Sequence, residues 1–343
     1  MRRRLDFVGM ALLVTAVLSP LPASAQWRLP TTCTVTSQNL FVRDVMGDIY
    51  FWYDQIPPVN PVASPSPPAY LEAVRYLPLD ARFSYIGARA AEDAFYSESQ
   101  YIGLGFGNWY VDGALRVVQV FPESPASEIG LARGDRFVEI NGQTVEDLAA
   151  NGLLGGAFGD AQEGVTVEVV YERPTGERVA GTMVKRIITI PTVTATQVYT
   201  LEDGRRVGYV FFRNFVQPSV AALDEAFAVL RDARVSELVL DVRYNGGGLV
   251  SVASTVAAHV AGSNAAGRVF ASLLYNDRRA STNNQVFRFA NPAPAASMNL
   301  RRVTLLTGRQ LLPLRDFLHL GLVHLLLQHE RVRTLRTLLL AGR

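Results

Sequence analysis

Apolar positions fall into three successive textures along the chain. From Ser37 to Gln55 they recur at helical spacing, at Leu40, Phe41, Val45, Ile49, Tyr50 and Trp52, which predicts an amphipathic helix with Ser37 as its N-cap. The proline-rich stretch Pro57–Pro68 reads as a linker or extended loop, and a second short helix is expected at Pro68–Tyr76. From Tyr101 to about Pro191 the pattern changes to short strands: Leu115–Phe121, Arg136–Ile140, Val165–Tyr171 and Arg178–Val184. A short helix from Ser124 to Gly130 interrupts them. Asn141-Gly142 and Pro174-Thr175-Gly176 mark tight turns.

From Thr192 onward strands alternate with helices. A hairpin at Glu202-Asp203-Gly204 leads into a strand at Val207–Phe212, then a helix over Val220–Leu230 with Ser219 as its capping hydroxyl. The strand Glu237–Val242 follows, then a glycine turn and a helix from Leu249 to Ala261. Next come a strand at Arg268–Leu274, a polar loop through Asn284 and a strand at Arg302–Leu306. This alternation predicts a mainly parallel sheet with right-handed crossovers.

Leu238–Val250, LVLDVRYNGGGLV, carries the densest chemical signal. An apolar strand stops at Asn245 and three consecutive glycines, Gly246 to Gly248, and an apolar helix resumes behind them. Bare N–H groups at a helix N-terminus favour an anion or a developing oxyanion. The same residues also suit an ordinary tight strand-to-helix connection, and on their own they do not decide between the two.

Composition narrows the partners. The chain has 343 residues, 49% of them hydrophobic, so it can bury a sizeable core in two or more domains. A net charge of +2 gives no case for a nucleic-acid partner. Nearly all of the basic side is arginine, because Lys185 is the only lysine, and Cys33 is the only cysteine, so no internal disulfide forms. Arg2–Arg4, the apolar Val8–Leu18 and Ala23-Ser24-Ala25 have the order of a secretory signal peptide, giving a mature start at Gln26. Export to the periplasm or beyond, with no stable membrane span, is the expectation. Neither a metal nor a cofactor is expected.

Two motifs between Tyr101 and Pro191, Gly103-Leu104-Gly105-Phe106 and SPASEIGLARGDRFVEINGQTV, resemble a PDZ domain of exported proteases. The resemblance implies that Gly103, Leu104, Gly105 and Phe106 form a carboxylate loop and that the following strand edge accepts a peptide. A groove helix would lie within Val145–Leu154. Together with LDVRYNGGGLV, Arg82-Phe83-Ser84-Tyr85 and Arg302-Val303-Thr304-Leu305-Leu306-Thr307-Gly308, the chain resembles the tail-specific, or C-terminal processing, serine proteases. That resemblance implies a multidomain α/β fold: a helical N-terminal segment, a β-rich PDZ-like domain and a mainly parallel, crotonase/Clp-protease-like core, here incomplete. The divisions are a signal peptide at 1–25, the helical segment with its linker at 26–99, the PDZ domain at 100–191, a partial protease core at 192–310 and a Leu/Arg-rich tail at 311–343.

The resemblance also implies a Ser–Lys dyad, with Gly247 and Gly248 as candidate oxyanion donors and protein or peptide substrates with free C-termini. The nucleophile is due just after Thr307-Gly308 and the lysine some way beyond it. No serine follows Ser297 and no lysine follows Lys185. The expectation is therefore an inactive polypeptide, and the abrupt change of texture after Gln310 favours a shifted reading frame over a genuine variant ending. A variant ending would form a helix over the sheet edge. The alternative function is a non-catalytic PDZ peptide-binding protein. Ser251 and His259 share one predicted helix with no identified carboxylate to orient the histidine. His319, His324 and His329 do not share a helical face, so neither set predicts a site.

Overall fold

The computed structural model describes residues 30, 32–81, 83–300 and 302–307, and the backbone of residues 334–339. The signal-peptide segment, Arg82, Gly308, Gln310, the position due for the nucleophile and the three tail histidines lie outside the described residues. Among the described residues no helix is long and apolar enough to cross a membrane.

The chain divides into two units, one made of residues up to Ile86 together with Tyr275–Arg279 and the other of the remainder. In the first, α1 spans Val35–Ile49 and α2 spans Pro67–Val74. Helix α1 starts ahead of Ser37, because the Thr34 hydroxyl accepts the Ser37 N–H and so takes the capping role. It stops at Ile49, so Tyr50 and Trp52 fold back instead of continuing the stripe. Met46, Tyr50, Tyr70, Leu71 and Val74 form the core of this unit.

The proline-rich stretch is held down by a side chain. Asn39 is fully buried, and its Nδ2 donates to the carbonyls of Pro61 (2.8 Å) and Ser64 (3.0 Å). Asp80, also fully buried, accepts the Tyr50 hydroxyl at 2.8 Å and the N–H groups of Phe83 and Ser84. Tyr275–Arg279, expected as part of a loop in the α/β half, belongs to this unit instead. Asn276 Nδ2 donates to Asp48 O and Tyr50 O, and Arg279 pairs with Asp48. Those three carbonyl and carboxylate contacts are invisible to any local pattern.

The second unit opens with α3 (Arg89–Glu98) and β1 (Gln100–Gly103). Strands β2 (Phe106–Val111), β3 (Ala114–Val120), β4 (Arg136–Ile140), β5 (Gln143–Thr144), β6 (Thr166–Glu172) and β7 (Arg178–Val184) follow, with α4 (Pro125–Glu128) and α5 (Val145–Ala150) between them. Their sheet has the order β2-β3-β4-β6-β7, with β5 paired to β4, and β8 (Arg186–Thr189) returns antiparallel to β1. The predicted Asn141-Gly142 turn forms, both residues adopting positive φ (49° and 77°). Leu115, Val117, Phe137, Ile140, Val167 and Tyr171 are among the side chains filling the core behind this sheet.

The α/β part comprises β9 (Val193–Thr200), β10 (Arg206–Phe212), α6 (Ser219–Asp232), β11 (Glu237–Asp241), α7 (Val250–Ala261), β12 (Val269–Leu273), β13 (Gln285–Arg288), β14 (Arg302–Thr307) and β15 (Thr334–Leu339). The sheet order is β15-β14-β11-β10-β9, with three of its four pairings parallel and β9 antiparallel as the hairpin partner of β10. Strand β12 departs from expectation: it leaves the main sheet and pairs antiparallel with β13, an additional strand just past the expected polar loop. Its Val269 and β13's Val286 are exposed, so this ribbon is only half apolar and the main sheet has no use for it. At the opposite edge from β9, residues 334–339 form a strand beside β14, where the variant-ending alternative expected a helix. Ser219 is the first residue of α6 rather than its cap; its hydroxyl instead donates to Asn214 O at 2.7 Å.

Candidate functional site

Strand β11 delivers Asp241 to the carboxyl end of the parallel sheet, where open α/β sheets place their sites. Asp241 is fully buried. It accepts two hydrogen bonds from Arg243 Nε and one from Nη2, and the Tyr209 hydroxyl at 2.7 Å. Burial, reinforced by this carboxylate, pushes the Tyr209 hydroxyl up to about 12, and the carboxylate raises Arg243 above its ordinary value. The cluster ties the strand end to Tyr209 and Arg243.

The glycine turn follows. Asn245, 5% exposed, accepts the Gly247 N–H on Oδ1 at 2.8 Å and donates from Nδ2 to Phe212 O at 3.3 Å. Phe215 then bridges to Gly248 like one rung of a parallel ladder: Phe215 N–H donates to Gly247 O (3.0 Å), and Leu249 N–H donates to Phe215 O (2.6 Å). Gly247 and Gly248 have φ of 97° and 139°, a region that suits glycine. Gly246 has open space where a Cβ would stand, so the third glycine is not required by the fold. Of the two candidate oxyanion donors, Gly247 spends its N–H on Asn245, whereas Gly248 N–H has no acceptor among the described residues. Helix α7 starts two residues later, with Leu249 at its N-cap.

The residue before this turn reaches out of the α/β part. The Tyr244 hydroxyl accepts Arg133 Nη1 at 2.6 Å, and its ring lies 5.3 Å from Trp109 on β2. Sequence reasoning missed this link, because Tyr244, Trp109 and Arg133 share no local pattern.

The Gly103–Phe106 segment joins β1 to β2. Leu104 is buried, and its carbonyl accepts the Ala126 N–H; Gly105 O accepts the Phe121 N–H and the Ser124 hydroxyl. Gly105 has φ of 84°, and a Cβ there would lie 2.0 Å from Ser124 Cβ. Phe106 packs on Phe137 and Phe158, each 5.2 Å away between ring centres. Strand β2 pairs only with β3, which leaves its other edge without a strand partner among the described residues. Helix α5 is capped by Thr144 and stops at Ala150, shorter than the expected range, with Val145 and Leu148 buried.

The remaining candidates resolve differently. Ser251 is exposed on α7 and His259 is fully buried, so they face different environments. His259 does have a carboxylate nearby, contrary to expectation: Asp224 Oδ1 on α6 lies 2.9 Å from its Nε2, and Phe227 stacks on the ring at 4.6 Å. Burial holds His259 below its ordinary value against the opposing pull of Asp224. Among the described residues no group of three or more His, Cys, Asp or Glu is arranged to hold a metal. Lys185 is 6% exposed and donates to Gly159 O (2.7 Å) and Asp160 O (2.6 Å), so it clamps a PDZ loop.

The glycine turn closes a strand of the mainly parallel sheet and is preceded in the chain by a separate β-rich sheet, and comparison with known proteins gives three family matches. The chain matches, in order, the peptidase S41 N-terminal domain over residues 37–85, a PDZ domain over 116–151 and peptidase family S41 over 206–310. These matches agree with the resemblance read from the sequence, and the relatives found by sequence are named as carboxy-terminal processing proteases. It is 27% identical to the carboxy-terminal processing protease CtpB of Bacillus subtilis over 47% of this chain and 33% of that protein. It is 32% identical to the chloroplastic C-terminal processing peptidase of Tetradesmus obliquus over 45% of this chain and 36% of that one. The aligned part thus spans about a third of those relatives. A crystal structure of an S41 protease from Bacteroides fragilis matches with a TM-score of 0.54 at 25% identity, covering 78% of this chain and 71% of that one.

Proposed function

We propose that this polypeptide belongs functionally to C-terminal processing and acts as its peptide-selecting component, binding unstructured protein C-termini without cleaving them. The observation that carries the reading is the Gly103–Phe106 loop opening directly into a strand whose outer edge has no strand partner among the described residues. A peptide added to that edge gains main-chain hydrogen bonds while its terminal carboxylate meets loop N–H groups. What supports a reading without cleavage is that no serine follows Ser297 and no lysine follows Lys185 in this sequence, where the resemblance would put the two members of a Ser–Lys dyad. Export, through the Arg2–Ala25 leader, is part of the same proposal.

Binding of a short unstructured peptide with an apolar C-terminus, followed by fluorescence anisotropy, tests the first half. Replacing Gly105 by valine should abolish it, because the added side chain meets Ser124. Mass spectrometry of the incubated peptide tests the second half. Serine-dependent cleavage by this chain would establish the endopeptidase reading in its place.

A further inference from the structure

One face of the β2–β3 ribbon carries cations without carboxylates. Along β2, Phe106 lies on the core side, packed on Phe137, and so does Asn108, the register partner of buried Val117. Successive residues of a strand alternate, so Gly107 and Trp109 lie on the opposite face. Arg116 of β3 is the register partner of Trp109 and shares that face, standing between the buried Leu115 and Val117.

The α/β part meets this face at Tyr244. Its ring lies 5.3 Å from Trp109, and three guanidiniums surround it, Arg133 at 5.4 Å and Arg213 and Arg243 each at 6.0 Å from its centre. Arg243 pairs with Asp241. Among the described residues, Arg133, Arg213 and Arg116 form no ion pair. Arg133 is exposed and is held in place by donating to Val118 O and the Tyr244 hydroxyl. Val118 is free to accept because it is an extra residue of β3, between the partners of Gly107 and Asn108. Arg213 is half-buried, and it also stacks 5.4 Å over the Phe121 ring. Its Nη2 would be 3.7 Å from a Cβ on Gly107, and its Nη1 has no hydrogen-bond partner. Guanidiniums stacked by their faces on aromatic rings keep their N–H edges for an oxygen in the plane.

We infer that Arg213, Arg133 and Arg116 form a subsite for an acidic side chain of the bound peptide, on the face of β2 away from α5. This rests on the peptide-binding reading above and narrows its substrate class. A peptide added antiparallel to β2, with its last residue opposite Phe106, sets its second- and fourth-from-last residues opposite Gly107 and Trp109. Opposed residues of an antiparallel pair share a face, so those two side chains point toward the arginines. The last and third-from-last point to the core side. Gly107 has no side chain to stand between the strand edge and Arg213. The C-termini selected are therefore those with Asp or Glu second or fourth from the end.

The test uses the full chain and one unstructured peptide with an apolar C-terminus, made with Gln at the second, third and fourth positions from the end or with a single Glu at one of them. Fluorescence anisotropy at constant ionic strength reads the affinities. Glu at the second or fourth position should bind about tenfold more tightly than Gln, the scale of one charge-assisted hydrogen bond, and Glu at the third should gain nothing. Arg213→Gln, Arg133→Gln and Arg116→Gln should each shrink the preference severalfold, with thermal unfolding midpoints reporting that the variants are folded. Arg231→Gln, on α6 and paired with Asp232, should leave it whole. Equal binding of all the peptides by wild type, or a preference untouched in all three subsite variants, would overturn the inference and leave the peptide-binding reading intact. The same gain at all three positions would overturn it too, because that marks diffuse attraction rather than a subsite. Failure of wild type to bind any of the peptides would overturn both.

Discussion

Gly248 and Phe215 approach so closely that a Cβ on the glycine would lie 2.1 Å from the Phe215 carbonyl oxygen. That oxygen also accepts the Leu249 N–H, so it cannot retreat without breaking the rung that joins the turn to the segment after β10. Gly248→Ala should therefore destabilise the α/β part by about 2–4 kcal/mol, combining backbone strain with a displaced hydrogen bond. Gly246→Ala, in open space and with no positive φ, should stay within about 0.5 kcal/mol of wild type. Urea unfolding of the two variants checks the contrast, and equal losses would refute it.

Asn245 holds the turn in its present shape from both sides. Asn245→Ala releases the Gly247 N–H and the Phe212 carbonyl together, which should cost about 1–3 kcal/mol. Amide hydrogen exchange should show Gly247 changing from protected to fast. Continued protection of Gly247 in the variant would mean that another acceptor holds it.

Asn39 ties α1 to the proline-rich stretch through two carbonyls. Asn39→Leu leaves both carbonyls without that donor and should make Pro57–Ser66 the first site of proteolysis, with a stability loss of about 2 kcal/mol. Limited proteolysis with mapped cleavage sites decides this. An unchanged pattern would show that the prolines hold the stretch unaided.

His259 gives the α6–α7 contact a pH dependence whose sign is fixed by burial. Its folded value lies below the ordinary 6.5, so the unfolded chain takes up a proton first as pH falls. Stability is full above that ordinary value. It should fall as pH drops through and below it, by up to about 1.4 kcal/mol per pH unit while the folded ring stays neutral. Asp224 pulls the other way, so Asp224→Asn should widen the window and steepen the total loss. His259→Phe should remove this component. Denaturant midpoints on either side of 6.5 measure it, and identical pH profiles for wild type and His259→Phe would exclude it.

What could be read from the sequence was whatever depends on near neighbours. The Asn141-Gly142 turn, the β6 and β7 strands and the strand–glycine–helix order of the candidate site all declare themselves within a few residues. The misses share one cause. Asn39, Asn276 and Asp224 act on partners far along the chain, and a polar side chain looks the same in sequence whether it faces water or a distant carbonyl. Strand β12 was read correctly as a strand but given the wrong sheet, because its period-two pattern does not say which neighbour completes it. In the glycine turn the positions were legible, but the occupation of the Gly247 N–H by Asn245 was not, since it depends on a side-chain rotamer.

Lys185 offers a use unrelated to any of these sites. It is the single lysine of the chain, and its ammonium is folded against the carbonyls of Gly159 and Asp160. An amine-reactive reagent therefore meets no accessible lysine on the folded protein. Acylation at Lys185 would proceed only through molecules in which the Gly159–Asp160 loop has let go, so one modified peptide in a mass spectrum becomes a clock for opening of that loop.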